Sequence, residues 1–107
     1  MKVYISGKIT GLPRARVEKK FKDAEEWLRN EGYTPVNPAV MEQNPGLEYE
    51  DYMHIAFAML DVCDAIFMLS DWEDSSGAKR ELVYAKDAGK AIMWEIEPEP
   101  CEKGAEA

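Results

Sequence analysis

The sequence predicts one α/β domain with a parallel sheet covered by helices on both faces. Short β-prone runs alternate with helix-periodic segments in the order β-α-β-α-β-α-β, which requires right-handed crossovers between parallel strands. Residues 65–69 form a continuous apolar run, as is typical of a central strand buried on both faces. A chain of 107 residues corresponds to one domain of common size.

The residues that bound the first strand and the first helix predict where each begins and ends. A strand is predicted over residues 3–5, just before Ser6 and Gly7. Pro13 suits a first helical position and Gly32 a helix stop, so a helix lies between them. Its buried face is predicted from apolar residues at helical spacing: Val17, Phe21, Ala24 and Leu28.

The second strand, predicted over residues 33–36, contains Pro35. Proline removes a hydrogen-bond donor from the ladder, so this strand is expected at a sheet edge. Residues 37–47 are predicted to be a loop, and residues 49–61 a second helix. The buried stripe expected on that helix consists of Tyr52, Ile55, Ala56, Met59 and Leu60.

The last elements complete a four-stranded sheet. Strand 65–69 is followed by a polar turn, a helix over 76–88 and a strand over 91–96. With the second strand at the edge, the predicted order is 2-1-3-4. The order then reverses between strands one and three, and ligands in such sheets bind beside the carboxyl ends of the strands at that point. The domain is assigned to residues 1–96, and the acidic stretch 97–107 is predicted to be a disordered tail.

Composition narrows the classes of partner. The net charge of −8 repels polyphosphate, so no nucleic-acid polymer is expected to bind. No apolar run has membrane-spanning length and no signal peptide is recognised, so we expect a cytoplasmic protein without a membrane partner. Cys63 and Cys101 do not form a disulfide or metal pattern, and Cys63 is predicted to be buried. His54, the single histidine, is predicted at the surface, and no metal or cofactor is expected.

Two loops are predicted at the point where the strand order reverses. The first is Ser6-Gly7-Lys8-Ile9-Thr10-Gly11. Gly-Lys-x-Thr resembles part of a P-loop, but the glycine five residues earlier is missing and Thr10 comes one position late. The glycines still allow a ligand to approach the backbone, and Lys8 can contact an anion. A plain strand-to-helix turn explains the same residues equally well.

The second loop, Asp71 to Gly77, leads into the third helix. Ser75 or Ser76 can cap that helix, and the free amides at its start favour an anion or a hydroxyl-rich ligand. Capping alone also accounts for both serines. The residues of the two loops predicted to bind substrate are Ser6, Gly7, Lys8, Trp72, Asp74, Ser75, Ser76 and Gly77.

Glu81 and Tyr4 are the candidate catalytic residues. The start of the third helix favours the ionised form of a nearby carboxylate, which suits Glu81 as a nucleophile. The alternative is an ordinary solvated glutamate on a helix surface. Tyr4 on the central first strand is predicted to lie in the core, where its hydroxyl needs a partner and Glu81 is within reach.

Several segments, in order, resemble the nucleoside 2-deoxyribosyltransferase-like superfamily, and most of all its small, phage-associated DUF4406 branch. The resemblance extends over residues 2–95. It is carried by Lys2-Val3-Tyr4-Ile5-Ser6-Gly7, Val36-Asn37-Pro38, Cys63-Asp64-Ala65-Ile66, Trp72 and Ser76-Gly77-Ala78-Lys79-Arg80-Glu81.

The resemblance implies a flavodoxin-like three-layer sandwich, a homodimer or larger assembly, and cleavage of the N-glycosidic bond of a nucleoside or nucleotide. It implies that Glu81 attacks the anomeric carbon in a retaining mechanism and that Tyr4 orients it. Ser75 then corresponds to a serine that binds a 5′-phosphate, and Gly77 to the loop glycine four residues before the glutamate.

The sequence also departs from the superfamily. Active members usually carry an aspartate eight residues before the position of Asp64, and Ala56 occupies that place here. Asp71 or Asp74 would then have to protonate the departing base, and Asp71 is included as a catalytic candidate. Lys8 replaces a common proline, and the chain lacks the longer C-terminal segment of transferases. A hydrolase is therefore expected rather than a transferase, with a non-catalytic nucleotide-binding or regulatory protein as the alternative and a structural interaction domain as the third possibility.

Overall fold

Strands and helices alternate along the part of the chain that the structure describes. The computed structural model describes residues 1–40 and 46–96, so part of the predicted loop and the predicted tail lie outside the described residues. Two short 3-10 helices span Pro38–Val40 and Trp72–Asp74. The main elements are β1 (Lys2–Ser6), α1 (Arg14–Asn30), β2 (Thr34–Val36), α2 (Tyr49–Asp61), β3 (Ala65–Met68), α3 (Ser76–Asp87) and β4 (Ala91–Trp94).

The four strands form a parallel sheet of order β2-β1-β3-β4, which confirms the predicted order. β2 is an edge strand, as Pro35 predicts. β1 and β3 lie next to each other in the centre, with Tyr4 opposite Ile66 and Ser6 opposite Met68. The strand order therefore reverses between these two strands, whose carboxyl ends meet at one edge of the sheet.

One face of the sheet packs against α1. The four residues predicted for the buried side of α1 are all buried. Trp27 of the same helix stacks on Phe67 of β3, with ring centroids 5.4 Å apart. The core on this face contains no charged side chain among its buried members, which include Val3, Ile5, Val17, Phe21, Ala24, Leu28, Ala65 and Phe67.

The opposite face packs against α2 and α3. In α2 the fully buried residues are Met53, Ala56 and Leu60, whereas Tyr52, Ile55 and Met59 are only half-buried. The prediction missed Met53 because α2 contacts α3 as well as the sheet. Met53 lies next to Gly77 at the start of α3, where a Cβ atom would be in ordinary van der Waals contact with the Met53 sulfur at 3.4 Å. His54 is exposed and Cys63 is buried, which confirms both predictions.

The first loop leaves the sheet through a close contact with β3. The Leu69 amide donates a hydrogen bond of 2.8 Å to the Ser6 carbonyl, which extends the pairing beyond Met68. A Cβ atom on Gly7 would lie 2.7 Å from Leu69 Cδ1, so a larger residue there would push the two segments apart. Gly7 thus holds the loop close to the end of β3. Within the described residues, no helix combines the length and apolarity needed to cross a membrane.

Candidate active site

Three side chains meet in the core between the carboxyl-terminal half of β1 and the middle of α3. The Tyr4 hydroxyl donates to Glu81 Oε2 at 2.7 Å, and the Ser6 hydroxyl donates to Glu81 Oε1 at 2.5 Å. Tyr4 and Ser6 alternate with Val3 and Ile5 along the strand, so both hydroxyls project from the face that α3 covers. Each oxygen of one carboxylate is therefore held by a donor from the same strand.

The helix α3 presents Glu81 to the sheet because of its own buried stripe. Ser75 caps the helix by accepting a 3.1 Å hydrogen bond from the Ala78 amide. Ala78, Leu82 and Ala85 are buried at helical spacing on the side that also carries Glu81. Glu81 is consequently 8% exposed, and it is not the solvated helix-surface residue that its sequence position suggested.

The electrostatics of Glu81 differ from the prediction. Burial raises the pKa of Glu81 above its ordinary value, and the hydrogen bonds from Ser6 and Tyr4 only partly oppose that rise. The helix terminus does not govern the charge of Glu81, because this residue is the sixth of α3 and lies in low-dielectric surroundings. Burial first, and the adjacent carboxylate second, also raise the pKa of Tyr4 well above its usual value. Tyr4 thus remains a neutral donor at physiological pH.

A cavity of about 460 Å³ opens beside the hydrogen-bonded side chains of Tyr4, Ser6 and Glu81. It is large enough for a small organic ligand. Both Tyr4 and Glu81 line it, and Glu81 is at the same time mostly shielded from bulk water. Most of the predicted binding residues also line the cavity, namely Gly7, Lys8, Asp74, Ser75, Ser76 and Gly77. Gly77 belongs to the first turn of α3 and not to the loop before it.

Three predicted site residues lie elsewhere. Ser6 is 1% exposed and contacts Glu81 without lining the cavity. The Asp71 carboxylate accepts a 3.1 Å hydrogen bond from the Lys8 amide and forms an ion pair with Lys20. Asp71 therefore ties the first loop to the second instead of facing the cavity. Trp72 packs beside Trp94, with ring centroids 5.6 Å apart, and is likewise absent from the cavity wall.

α2 supplies a wall of the cavity that was not predicted from the sequence. Tyr49, Tyr52 and Met53 from the first turns of α2 also line the cavity. The Tyr49 hydroxyl is 3.4 Å from Ser76 Oγ, and the Arg80 guanidinium lies 5.6 Å from the Tyr49 ring centroid. The topology contained a signal for this wall, because every crossover helix that follows a parallel strand starts at the same edge of the sheet.

Charged groups of both signs surround the cavity. Lys8 and Arg14 line one part of it, and Asp74 is the acidic group on the wall besides Glu81 among the described residues. Arg14 donates to the Ala39 carbonyl at 2.5 Å and pairs with Glu18, so it also holds the wall together. Within residues 1–40 and 46–96, no group of three or more His, Cys, Asp or Glu side chains is arranged to hold a metal ion.

Comparisons with known proteins agree on the architecture. The model of the family described as a domain of unknown function, DUF4406, matches residues 1–94. The structure is similar to a 2-desoxiribosyltransferase from Leishmania mexicana, with a TM-score of 0.66 and 22% identity over 87% of this chain and 62% of that protein. The chain thus spans under two thirds of that enzyme's length.

A second similar structure is a CMP N-glycosidase from Clostridium botulinum. Its TM-score is 0.58, with 16% identity over 88% of this chain and 67% of that protein. At these identities the similarity shows a common fold. A search of curated proteins found no match. The chain belongs to the DUF4406 family, and it has the fold of the nucleoside 2-deoxyribosyltransferase-like superfamily.

Proposed function

We propose that the protein cleaves the N-glycosidic bond of a nucleoside or nucleoside monophosphate, with Glu81 as the nucleophile. The observation that carries this proposal is a buried carboxylate, held on both oxygens, in the wall of a 460 Å³ cavity. The names of the two similar structures, a 2-desoxiribosyltransferase and a CMP N-glycosidase, support the same class of chemistry.

The proposed reaction has two displacement steps at the anomeric carbon. In the first, a Glu81 oxygen forms a bond to C1′ while the C1′–N bond breaks and its electron pair leaves with the base. In the second, water attacks C1′, the ester bond to Glu81 breaks, and a proton from water is released. Two inversions retain the configuration at C1′. The neutral Tyr4 hydroxyl orients the carboxylate during both steps.

The departing base needs a proton, and Asp74 is the carboxyl group other than Glu81 on the cavity wall within the described residues. Asp74 lines the cavity, whereas the Asp71 carboxylate is engaged by Lys8 and Lys20. Ala56, which occupies the place of the aspartate that active superfamily members carry, also lines the cavity and contributes no proton. We therefore assign the general-acid role to Asp74 in place of Asp71.

The opposite end of the substrate is proposed to be anionic. Lys8 and the start of α3 border the cavity, and the amides of Ser76 and Gly77 in the first turn of α3 are not used within the helix. Such a helix start favours a phosphate group. A nucleoside monophosphate would place its phosphate there and its sugar towards Glu81.

We also propose that the protein binds no nucleic-acid polymer, because its net charge of −8 repels polyphosphate. We further propose that it is cytoplasmic and forms homodimers or larger assemblies.

The direct test is incubation with a panel of nucleosides and nucleoside monophosphates of both sugars, followed by chromatography for the released base. Glu81→Gln should release no base while it retains binding, because the amide keeps the shape of the side chain and removes the nucleophile. Glu73→Gln is the matched control, since Glu73 is exposed in the short 3-10 helix before α3 and is absent from the cavity wall. Addition of a second free base separates transfer, which yields a new nucleoside, from hydrolysis.

A second candidate function is a non-catalytic nucleotide-binding protein, which the alanine at position 56 favours. In that case a nucleotide should raise the melting temperature, no base should be released, and Glu81→Gln should leave base release unchanged at zero. If no nucleotide, nucleoside or nucleotide sugar raises the melting temperature, both candidates fail and a structural interaction domain remains.

A further inference from the structure

We propose that Ser6 is a positioning residue for Glu81 and fixes the direction of its carboxylate from the protein interior. This inference rests on the proposed function, in which Glu81 is the nucleophile. It assigns Ser6 a role different from contact with substrate, because Ser6 holds Glu81 Oε1 at 2.5 Å and does not line the cavity.

Ser6 is held more firmly than a loop serine would be. It is the last residue of the central strand β1, opposite Met68 of β3. Its carbonyl accepts the hydrogen bond from the Leu69 amide, and the next residue, Gly7, allows the close approach to Leu69. With 1% of its surface exposed, Ser6 has no bulk water to bind in place of Glu81. Its hydroxyl therefore points at the carboxylate from a fixed backbone.

Two donors restrict a carboxylate in a way that one cannot. The terminal torsion of a glutamate side chain is broad, so one hydrogen bond leaves the carboxylate plane free to turn. Donors on both oxygens remove that freedom and leave about two of its four lone-pair sites for the cavity. Tyr4 holds Oε2 and Ser6 holds Oε1, so the plane of the Glu81 carboxylate is set by β1. A fixed attack direction is worth a large factor in rate.

The Ser6 donor also stabilises the charged form of Glu81 in surroundings that oppose it. The groups acting on Glu81 from β1 are the Tyr4 and Ser6 hydroxyls, and the charged side chains across the cavity are Lys8, Arg14 and Asp74. Loss of a donor to the ionised form raises the pKa of a carboxyl group. Removal of the Ser6 hydroxyl should therefore leave a smaller fraction of Glu81 ionised at a given acidic pH.

The test measures the titration of Glu81 directly and does not depend on turnover. Protein labelled with carbon-13 at glutamate carboxyl groups is titrated by NMR, and the Glu81 signal is identified by its loss in Glu81→Gln. Ser6→Ala should raise the pKa of Glu81 by about one unit, a tenfold fall in its ionised fraction at acidic pH. Ser6→Cys, which replaces the hydroxyl with a somewhat larger and weaker donor, should fall in between. Ser70→Ala, at an exposed serine just beyond β3, is the matched control and should leave the titration unchanged.

The same variants are then assayed on the best substrate across pH. The acid limb of kcat/KM should move to higher pH in Ser6→Ala by the same amount as the NMR titration. The plateau should also fall, by about tenfold, because the carboxylate can turn. An unchanged Glu81 titration in folded Ser6→Ala and Ser6→Cys overturns the inference even if the protein is active. A shifted titration in a protein that releases no base overturns the proposed function and leaves the Ser6–Glu81 coupling as a purely electrostatic one.

Discussion

The two faces of the central strand β1 show how one element serves stability and function separately. Towards α1, Val3 and Ile5 belong to a core whose buried members are apolar. Towards α2 and α3, Tyr4 and Ser6 surround a carboxylate that is itself almost wholly buried. Neighbouring residues of one five-residue strand thus lie in opposite kinds of surroundings.

The difference indicates what each face does for the protein. Apolar burial stabilises a fold, whereas a buried carboxylate with a raised pKa opposes folding whenever it is ionised. A chain selected only for stability would place an apolar residue at position 81. The presence of a buried Glu81 with a donor on each oxygen is therefore best explained by a site that needs a carboxylate there.

The largest effect is expected from the loss of the nucleophile. Glu81→Gln should lower base release by roughly 10³-fold or more, because no covalent intermediate can form. Steady-state rates on the best substrate, compared with Glu73→Gln, provide the measurement. Retention of more than a tenth of the wild-type rate in Glu81→Gln would exclude a nucleophilic role.

The next largest effect is expected when a large side chain is removed from the apolar core on the α1 side. Leu28→Ala should lower the free energy of unfolding by about 3 kcal/mol, since Leu28 is fully buried in the core on the α1 side. The folded variant should keep its kcat/KM, because Leu28 is not part of the cavity wall. Urea unfolding and rate assays at low temperature measure the two quantities. A large fall in kcat/KM of fully folded protein would show that the two faces are not independent.

A smaller effect on rate, with little effect on stability, is expected for Tyr4→Phe. The ring still fills its place in the core, but Glu81 Oε2 loses its donor. We expect base release to fall about 10- to 100-fold and the acid limb of kcat/KM to move to higher pH. The free energy of unfolding at acidic pH should change by less than about 1 kcal/mol, because protonated Glu81 needs the donor less. A variant with wild-type rates would remove Tyr4 from the mechanism.

The smallest effect is a pH dependence of stability that belongs to Glu81. Burial raises the folded-state pKa of Glu81, so the folded chain binds a proton more tightly than the unfolded chain does. The stability from protonated Glu81 is fully present below the unfolded-state pKa and is lost as pH rises through the folded-state pKa. Urea unfolding from acidic to neutral pH should therefore show a decline in wild type that Glu81→Gln lacks. Each unit of pKa elevation corresponds to about 1.4 kcal/mol, and parallel curves for the two proteins would contradict the buried ionisation.

The sequence was sufficient to predict the fold because its signals are local and agree with one another. Pro35 predicted an edge strand, the run at residues 65–69 predicted a central strand, and together they gave the order 2-1-3-4 that the structure confirms. Apolar spacing in α1 identified all four buried residues of that helix. The α2 stripe was less accurate, since Met53 is buried against α3 through a contact that periodicity within one helix does not contain.

The site was harder to predict than the fold because it depends on contacts far apart in the sequence. Tyr4 and Glu81 could be paired from the topology, but the burial of Glu81 and its raised pKa come from the packing of α3 on the sheet. Ser6 looked like a loop residue and lies in the core. Asp71 was predicted as a candidate proton donor for the departing base, and its ion pair with Lys20 connects residues 51 positions apart.

The central claim is that the Glu81 carboxylate faces the anomeric carbon of a bound nucleotide. The most direct measurement is a crystal structure of Glu81→Gln, which cannot form the covalent intermediate, grown with a saturating nucleoside monophosphate. We expect the nucleotide in the cavity, with C1′ about 3–3.5 Å from the nearest amide atom of the introduced side chain. A nucleotide bound elsewhere, a sugar turned away from position 81, or an empty cavity at saturation would contradict it.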